Sequence, residues 1–381
     1  MRKSKSLMLI ILIITSVILR FFLVLFLFAD RDAWMRIFDV ILIMGIGVWI
    51  IRKTADIIEE TSDILQERTK LAGGLLHSFG TAFPDMVLGV MAAITSIGAD
   101  SYAKAVSFAI IAAATTFGSN IYNIGYAIWC IFRQNVANLK EKEISIFPFT
   151  GKGGSVKPIK DHSNKPELIE IDTAIDVLNF LSIITAAVAV SMVLFGQKEA
   201  PIGMKGDIYQ LIRPVGLAIF ILCVSIMYFF RKSKKSEEHL AAPVEENYFR
   251  DKSNMAIWLS LALSGAAILL AASGMVQAIK VFCDITKLPL IIAGVLAGII
   301  GCLGEIIGMH NMTVHPSGKI GDAVVGVAMD NIITTMGAAI VAIMGGIFLG
   351  GNALILIFVF ILTLNTVLIW QISRLKNYVL R

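Results

Sequence analysis

The stretch Ser78-Phe79-Gly80-Thr81-Ala82-Phe83-Pro84-Asp85 places a carboxylate directly after a proline, inside an apolar run that extends from 71 to 97. A second run, 105 to 132, carries Thr115-Thr116-Phe117-Gly118-Ser119-Asn120-Ile121-Tyr122-Asn123-Ile124-Gly125. The pattern returns later in the chain. Gly298-Ile299-Ile300-Gly301-Cys302-Leu303-Gly304-Glu305 lies in the run 288 to 314, and Gly326-Val327-Ala328-Met329-Asp330-Asn331-Ile332-Ile333-Thr334-Thr335-Met336-Gly337 in the run 320 to 348. Each unit reads as a helix with small residues ahead of one carboxylate, then a helix with Asn-Ile. A charge near the bilayer centre costs about 2.5–3.5 kcal/mol on insertion scales, so acids within such runs mark a functional site.

Working outward, the whole chain has the composition of a membrane protein. Of its 381 residues 57% are hydrophobic and 16% charged, with a mean hydropathy of +0.80. Soluble domains are about 45–50% apolar and about 25% charged. A disordered chain, a secreted disulfide scaffold and a cytosolic enzyme are excluded. Spanning-length runs occur at 6 to 29, 34 to 51, 71 to 97, 105 to 132, 173 to 196, 209 to 230, 254 to 278, 288 to 314, 320 to 348 and 352 to 373. Barrel strands would be about 10 residues each with alternating polarity, so the expected fold is an all-α polytopic membrane protein of about ten transmembrane helices. The first run exceeds the 7–15 apolar residues of a usual signal core and is read as a helix.

Orientation follows from the basic residues. With the N-terminus inside, 24 Lys and Arg fall on the inner side and 7 on the outer, which places both termini in the cytoplasm of a multi-pass protein, the cell membrane being the expected location. The organisation is then a two-helix segment (1–52), a first half (53–230) with one repeat (71–132) and the cytoplasmic loop 133–172, a cytoplasmic linker (231–253), and a second half (254–381) with the other repeat (288–348). The net charge of +5 sits in loops among acids and reports this orientation, so no nucleic-acid partner is expected. Gly151-Lys152-Gly153-Gly154-Ser155 and Lys232-Ser233-Lys234-Lys235-Ser236 are solvated connectors. Cys130, Cys223, Cys283 and Cys302 stand singly, without the paired spacing of a zinc site or disulfide framework.

On that topology the helix with Asp85 runs from inside to outside and the helix with Glu305 the opposite way, so the repeats are inverted. Inverted repeats hold substrate and ion sites near the midplane, usually where helices are interrupted. Gly80 and Pro84 are expected to interrupt the first helix, freeing carbonyls near Phe79 to Thr81, and Gly298, Gly301 and Gly304 the second. Two facing carboxylates repel unless a cation lies between them. Calcium takes 6–8 oxygens at about 2.3–2.6 Å, which two carboxylates, the Thr81 hydroxyl, freed carbonyls and water supply. Sodium suits subsets of the same oxygens, including the amides of Asn120 and Asn331, and protons compete on the carboxylates. Such competition is the physical core of antiport.

These residues resemble the cation/calcium antiporters, which include sodium/calcium exchangers. Gly80-Thr81-Ala82-Phe83-Pro84-Asp85 and Gly118-Ser119-Asn120-Ile121-Tyr122-Asn123 are similar to the two halves of that family's first alpha repeat, in order on adjacent helices. In the second repeat Gly304-Glu305 stands for Pro-Glu, Gly301-Cys302 for Thr-Ser, and Asp330-Asn331-Ile332 for Ser-Asn-Ile. The resemblance implies Asp85 and Glu305 as paired acidic ligands, joined by Thr81 and the carbonyls of Ser78 and Gly298, with Asn120 as the middle-site amide. Its counterpart is Asn331 by the Asn-Ile match, or Asp330 one residue away. Gly301 and Cys302 lack the family's hydroxyls, and two helices precede the first repeat while one follows the second.

The leading expectation is a secondary antiporter, not an enzyme, exchanging calcium for sodium or protons by alternating access, with ions and the lipid bilayer as its partners and no cofactor. Oligomeric state is left open. Two other classes compete with it: a membrane metalloenzyme using Glu305, His310 and His315, and a non-transporting ion sensor or scaffold, suggested by the eroded second repeat. Two histidines five apart on a helix diverge by about 140°, against convergence on one metal. His310 reads as a pH-responsive neighbour of the pathway. Gly118, Gly326 and Gly337 are expected to allow close helix approach, and Asp39 to partner Arg20.

Overall fold

The computed structural model describes residues 5–69, 73–146, 154–162, 165–202, 206–230, 248–314 and 320–380; within its helices some side chains, among them those of Ser78, Thr81 and Asp85, lie outside the description. Eleven helices are present among these residues: α1 (Lys5–Leu27), α2 (Ala33–Thr69), α3 (Gly73–Ile97), α4 (Tyr102–Lys140), α5 (Leu168–Phe195), α6 (Arg213–Phe230), α7 (Asn254–Thr286), α8 (Leu290–Gly301), α9 (Leu303–Val314), α10 (Ile320–Met344) and α11 (Gly351–Val379). Helices α8 and α9 form one apolar span bent by 47°. Counted so, ten helical passages match the ten apolar runs. Eight of them are long and apolar enough to cross a bilayer, whereas α6 and the apolar part of α3 (Ala82–Ile97) are shorter.

Two helices continue well past their apolar runs. α2 reaches Thr69 because its polar extension keeps one apolar stripe, Ile57, Ile58, Thr61, Ile64 and Leu65, buried at helical spacing. α4 runs to Lys140, where Glu141 takes the left-handed conformation (φ 50°) and its amide closes on the Ala137 carbonyl.

Side chains of these helices form two large apolar cores and two smaller clusters, one of which joins α2, α3 and α7. The first large core joins α4, α5, α6, α10 and α11 with parts of α3, α8 and α9; the second is built from α1, α2 and α7. Gly274 of α7 lets Leu19 of α1 sit against it, and Gly47 of α2 does the same for Met275. Arg20 lies in a π-helical turn, Leu19–Leu23, where its Nε donates to Ser273 Oγ of α7 at 2.8 Å. The expected pairing with Asp39 is therefore corrected: Asp39 accepts from Arg31 at 3.2 Å, because both lie at the end of the α1–α2 hairpin while Arg20 faces α7.

Short strands close the two ends of the bundle. At one end β1 (Ile144–Ser145) and β2 (Ser155–Val156) form an antiparallel pair, Ile144 opposite Val156. At the other end β3 (Gln197–Lys198), β4 (Ile208–Gln210) and β5 (Phe348–Gly350) form an antiparallel sheet in that order, with Tyr209 opposite Leu349. These ends are the two loop faces that helix alternation requires.

Candidate functional site

The two repeats meet through glycines. A Cβ on Gly298 of α8 would lie 2.7 Å from the Ser119 amide nitrogen and 2.9 Å from the Thr115 carbonyl oxygen of α4, and one on Gly118 would lie 2.8 Å from Val295 Cα. Glycine is required there because backbone faces backbone. Further along, Tyr126 of α4 meets His310 of α9, and Gly154 in the loop beyond α4 meets Val314 at the end of α9. Sequence number rises together on both sides, so α4 and α8–α9 run parallel. α3 and α4 run antiparallel, with Gly89 against Thr116, and Ser96 Oγ donating to the Ala105 carbonyl at 2.7 Å. The leading helices of the two repeats, α3 and α8–α9, therefore run in opposite directions. The inversion expected from charge is a property of the fold.

That register also fixes heights. One turn back from the Gly89–Thr116 contact, position 85 on α3 stands level with Asn120 on α4. On the other repeat, Gly298 to Cys302 bracket the level of Ser119 to Tyr122. Met86 packs on Gly337 of α10, where a Cβ would meet Met86 Cγ at 2.8 Å. Gly118 and Gly337 thus have the packing role expected of them. Gly326 shows no such contact: nothing among the described residues lies within 4 Å of where its Cβ would stand.

The interruption of the leading helices is found on one side only. α8 ends at Gly301 and α9 begins at Leu303, with the Cys302 amide donating to the Gly298 carbonyl at 3.2 Å. Glu305 sits in the first turn of α9, where the positive helix end favours a carboxylate. In contrast α3 is continuous from Gly73 to Ile97 with Pro84 inside it. This corrects the expected break. The proline still has no amide to give the Gly80 carbonyl, so a main-chain acceptor is released without ending the helix.

Around this crossing the polar groups are deeply buried. Glu305 is 3% exposed, Asp330 7%, Asn331 3%, Asn120 9% and Asn123 1%. Asp330 and Asn331 are 100° apart on α10, yet both point into protein, so neither is sorted out by facing lipid. The amide oxygen of Asn120 and both amide atoms of Asn123 and Asn331 have no hydrogen-bond partner among the described residues. Leaving a buried polar atom unpaired costs about 1–3 kcal/mol. Three of these five atoms, the amide oxygens of Asn120, Asn123 and Asn331, are acceptors of the kind that a hard cation takes as ligands, while the two amide nitrogens are donors. The side chains of Asp85, Thr81 and Ser78, and all of His315, lie outside the described residues. Sequence reasoning passed over Asn123; its signal was the second amide of Asn120-Ile121-Tyr122-Asn123, one helical turn from the first.

Toward the end that carries β1 and β2, the seam between the repeats stays polar. The Tyr126 hydroxyl lies 2.9 Å from His310 Nδ1, and the Thr313 hydroxyl reaches Cys130. The loop beyond α4 folds back on this end. Trp129 Nε1 donates to the Ile146 carbonyl at 2.8 Å, and Gln134 Nε2 to the Lys157 carbonyl at 2.7 Å. His162, 8% exposed, has its Nε2 3.0 Å from the same carbonyl. Burial pushes the His162 pKa below its ordinary value, against the opposing pull of the Lys157 carbonyl and Asp161.

No family model matches this chain, and no curated protein matches it. Solved structures do. The native structure of YfkE superposes with a TM-score of 0.53 at 11% identity, over 98% of this chain and 97% of that one. The H+/Ca2+ exchanger CAX gives 0.52 at 12% identity, over 97% and 93%. A selenium-substituted structure of YfkE, described as a Ca2+/H+ antiporter protein, gives 0.52 at 12%, over 98% and 97%. Across nearly its whole length, the chain has the fold of these calcium/proton antiporters.

Proposed function

We propose that this protein is a secondary antiporter that exchanges calcium for sodium or protons across a membrane by alternating access. The observation that supports the reading is that the amide oxygens of Asn120, Asn123 and Asn331 are buried without partners among the described residues, on the helices α4 and α10 that pack with the helix of the buried acid Glu305 and carry the buried acid Asp330. Hard cations take oxygen ligands and tolerate several neutral oxygens once carboxylates balance their charge. Asp85 and Glu305, brought from oppositely directed leading helices, are the charge-balancing pair, with Thr81 and the carbonyls of Ser78 and Gly298 adding oxygens. Asp330 is a third acid of the same site. The Gly298 carbonyl accepts the Cys302 amide, and its second lone pair remains for an ion.

In this reading the organisation is that of two inverted halves, with the segment 1–52 ahead of them and 231–253 between them. Both termini are cytoplasmic, and the protein is placed in the cell membrane. The two repeats hold the ion while flanking helices shift to open one side at a time. Alternating access needs a tight pivot, and the backbone-to-backbone contact of α4 with α8 supplies one.

The test is calcium uptake into proteoliposomes loaded in turn with sodium, potassium or a proton gradient. Exchange by the wild type should depend on one of these counter-ions. Asp85→Asn and Glu305→Gln should each lower it at least a hundredfold, with unchanged yield of folded protein. Uptake unaffected by either change would overturn the assignment, and calcium binding without flux would leave a sensor.

A further inference from the structure

At the end of the bundle that carries the β3–β4–β5 sheet, a cavity of about 430 Å³ opens between the end of α3, the start of α4, the start of α6 and the end of α10. Small-molecule sites have volumes on the order of 300–1,000 Å³. Arg213, the first residue of α6, lines this cavity, and its guanidinium has neither a hydrogen bond nor an ion pair among the described residues. Its position is set by Gly345, which follows the last residue of α10 with φ 88°. A Cβ on that glycine would lie 3.4 Å from Arg213 Nε, 3.5 Å from Arg213 Nη2 and 3.7 Å from Gln210 Nε2. Guanidinium and amide therefore lie side by side over bare backbone. Gln210 donates one amide proton to the Gly345 carbonyl at 3.1 Å and keeps its second. Ser101 accepts from the Lys104 amide at 3.4 Å and keeps its hydroxyl proton. The acid in the wall, Asp100, is paired with Lys104 at 3.0 Å.

The uncompensated charge is positive and the unused polar groups beside it are donors, so the cavity suits an anion. Phosphate presents two oxygens at once to the planar fork of a guanidinium, and the first turn of α6 adds the positive end of a helix. Depth in the membrane fixes the source of that phosphate. One turn into α6 Leu217 is exposed, as are Ile221 beyond it and Ile94 and Ile97 at the end of α3. Tyr102 is exposed at the same edge, where aromatic residues gather between bilayer and water. The guanidinium thus stands where apolar, lipid-facing surface gives way to polar surface, at the level of phospholipid headgroups. We propose that this cavity binds the phosphate of an anionic membrane phospholipid, held by Arg213 and Gln210, with the acyl chains against Leu217 and Ile97. A lipid seated there braces α3 of the first repeat and α10 of the second through α6. Its binding does not depend on which ions are exchanged.

The experiment is thermal unfolding of the purified full chain in dodecyl maltoside, titrated with phosphatidylglycerol, with phosphatidylcholine and with water-soluble glycerol phosphate at equal ionic strength. A ligand that binds the native state raises Tm. Phosphatidylglycerol should raise it at a lower mole fraction than phosphatidylcholine, and glycerol phosphate should not. Arg213→Gln, which removes the charge, should raise the half-saturating fraction of phosphatidylglycerol about tenfold. Arg213→Lys, which keeps the charge but loses the fork, should raise it by a smaller factor and serves if the glutamine variant does not fold. Lys280→Gln removes a cation outside the cavity, paired with Asp284 on α7, and should titrate as the wild type does. Unchanged titration of both Arg213 variants, or an equal loss in Lys280→Gln, would overturn the site and assign the shift to general surface charge. Equal response to the two lipids would overturn its preference for an anionic one. A full shift with glycerol phosphate would leave a site for soluble phosphate and overturn the lipid.

Discussion

The leading helices of the two repeats handle the same problem differently. α3 carries a proline and stays continuous, whereas α8–α9 has none at the corresponding place and bends by 47°. A proline inside a continuous helix removes one amide and frees one carbonyl without ending the helix. The break at Cys302 needs another cause, and the packing supplies it. Gly298 brings the backbone of α8 onto the backbone of α4, and Gly301 and Gly304 on either side impose little resistance to a change of direction. The lesson is that one repeat frees a backbone oxygen by chemistry, whereas the other changes direction by geometry.

Breaking the geometric side should have the largest effect. In Gly298→Ala the new methyl would stand 2.7 Å from the Ser119 nitrogen, and neither backbone can turn aside as a side chain would. Overpacking of this kind costs about 3 kcal/mol, the upper end of its usual range. The expected result is a large fall in Tm with exchange lost even in the fraction that folds. Thermal unfolding in detergent measures the first and vesicle flux the second. Near-wild-type values of both would mean that α4 and α8 are not locked at this contact.

The chemical side should respond with the opposite sign of stability. Pro84→Ala returns an amide to the Gly80 carbonyl within a helix that is already continuous. Removing an interior proline relieves up to about 3 kcal/mol of helix destabilisation, so Tm should rise. If the freed carbonyl serves the ion, apparent calcium affinity should weaken about tenfold, equivalent to about 1.4 kcal/mol. A rise in Tm with unchanged affinity would remove that carbonyl from the site and leave the acids and amides to carry it.

How much of this was legible beforehand follows the physics of each feature. Ten apolar runs, the inverted direction of the repeats and the second break all rest on local patterns of small, apolar and basic residues, and these survive folding. The continuity of α3 was hidden, because a proline in a membrane helix reads as a break unless its neighbours are known to hold the helix together. Arg20 was paired with the wrong partner because sequence proximity favoured Asp39, while Ser273 is 253 residues away and meets it only through the packing of α1 on α7. The overrun of α2 was missed since its last turns are polar on one face, and hydropathy averages over faces.

A smaller effect concerns the loop that straps the end of α4. His162 is buried with a lowered pKa, so the released loop binds a proton more readily than the docked one. Docking is therefore unaffected above the ordinary histidine pKa of about 6.5 and weakens as pH falls below it. The protection of residues 154–162 against hydrogen exchange, taken relative to the intrinsic rate at each pH, should fall between about pH 7 and pH 5.5, and His162→Gln, which keeps a donor for the Lys157 carbonyl, should abolish that dependence. An equal fall in the variant would remove His162 as the titrating group; Glu141, whose carboxyl pairs with Lys160 and is held below its usual range by it, would act only at more acid pH.

The smallest effect sharpens the contrast between glycines. Gly298 faces backbone, whereas Gly326, one turn before Asp330 on α10, faces nothing within 4 Å among the described residues. In Gly326→Ala the methyl meets no described residue, and the helix gains the propensity difference between the two residues, up to about 1 kcal/mol. Tm should rise slightly while flux stays within twofold of wild type. A tenfold loss of flux with that same gain in stability would carry a different meaning. The face of α10 at Gly326 would then be part of the route by which ions reach Asp330 and Asn331, and α10 would present its acid to the pathway from that side.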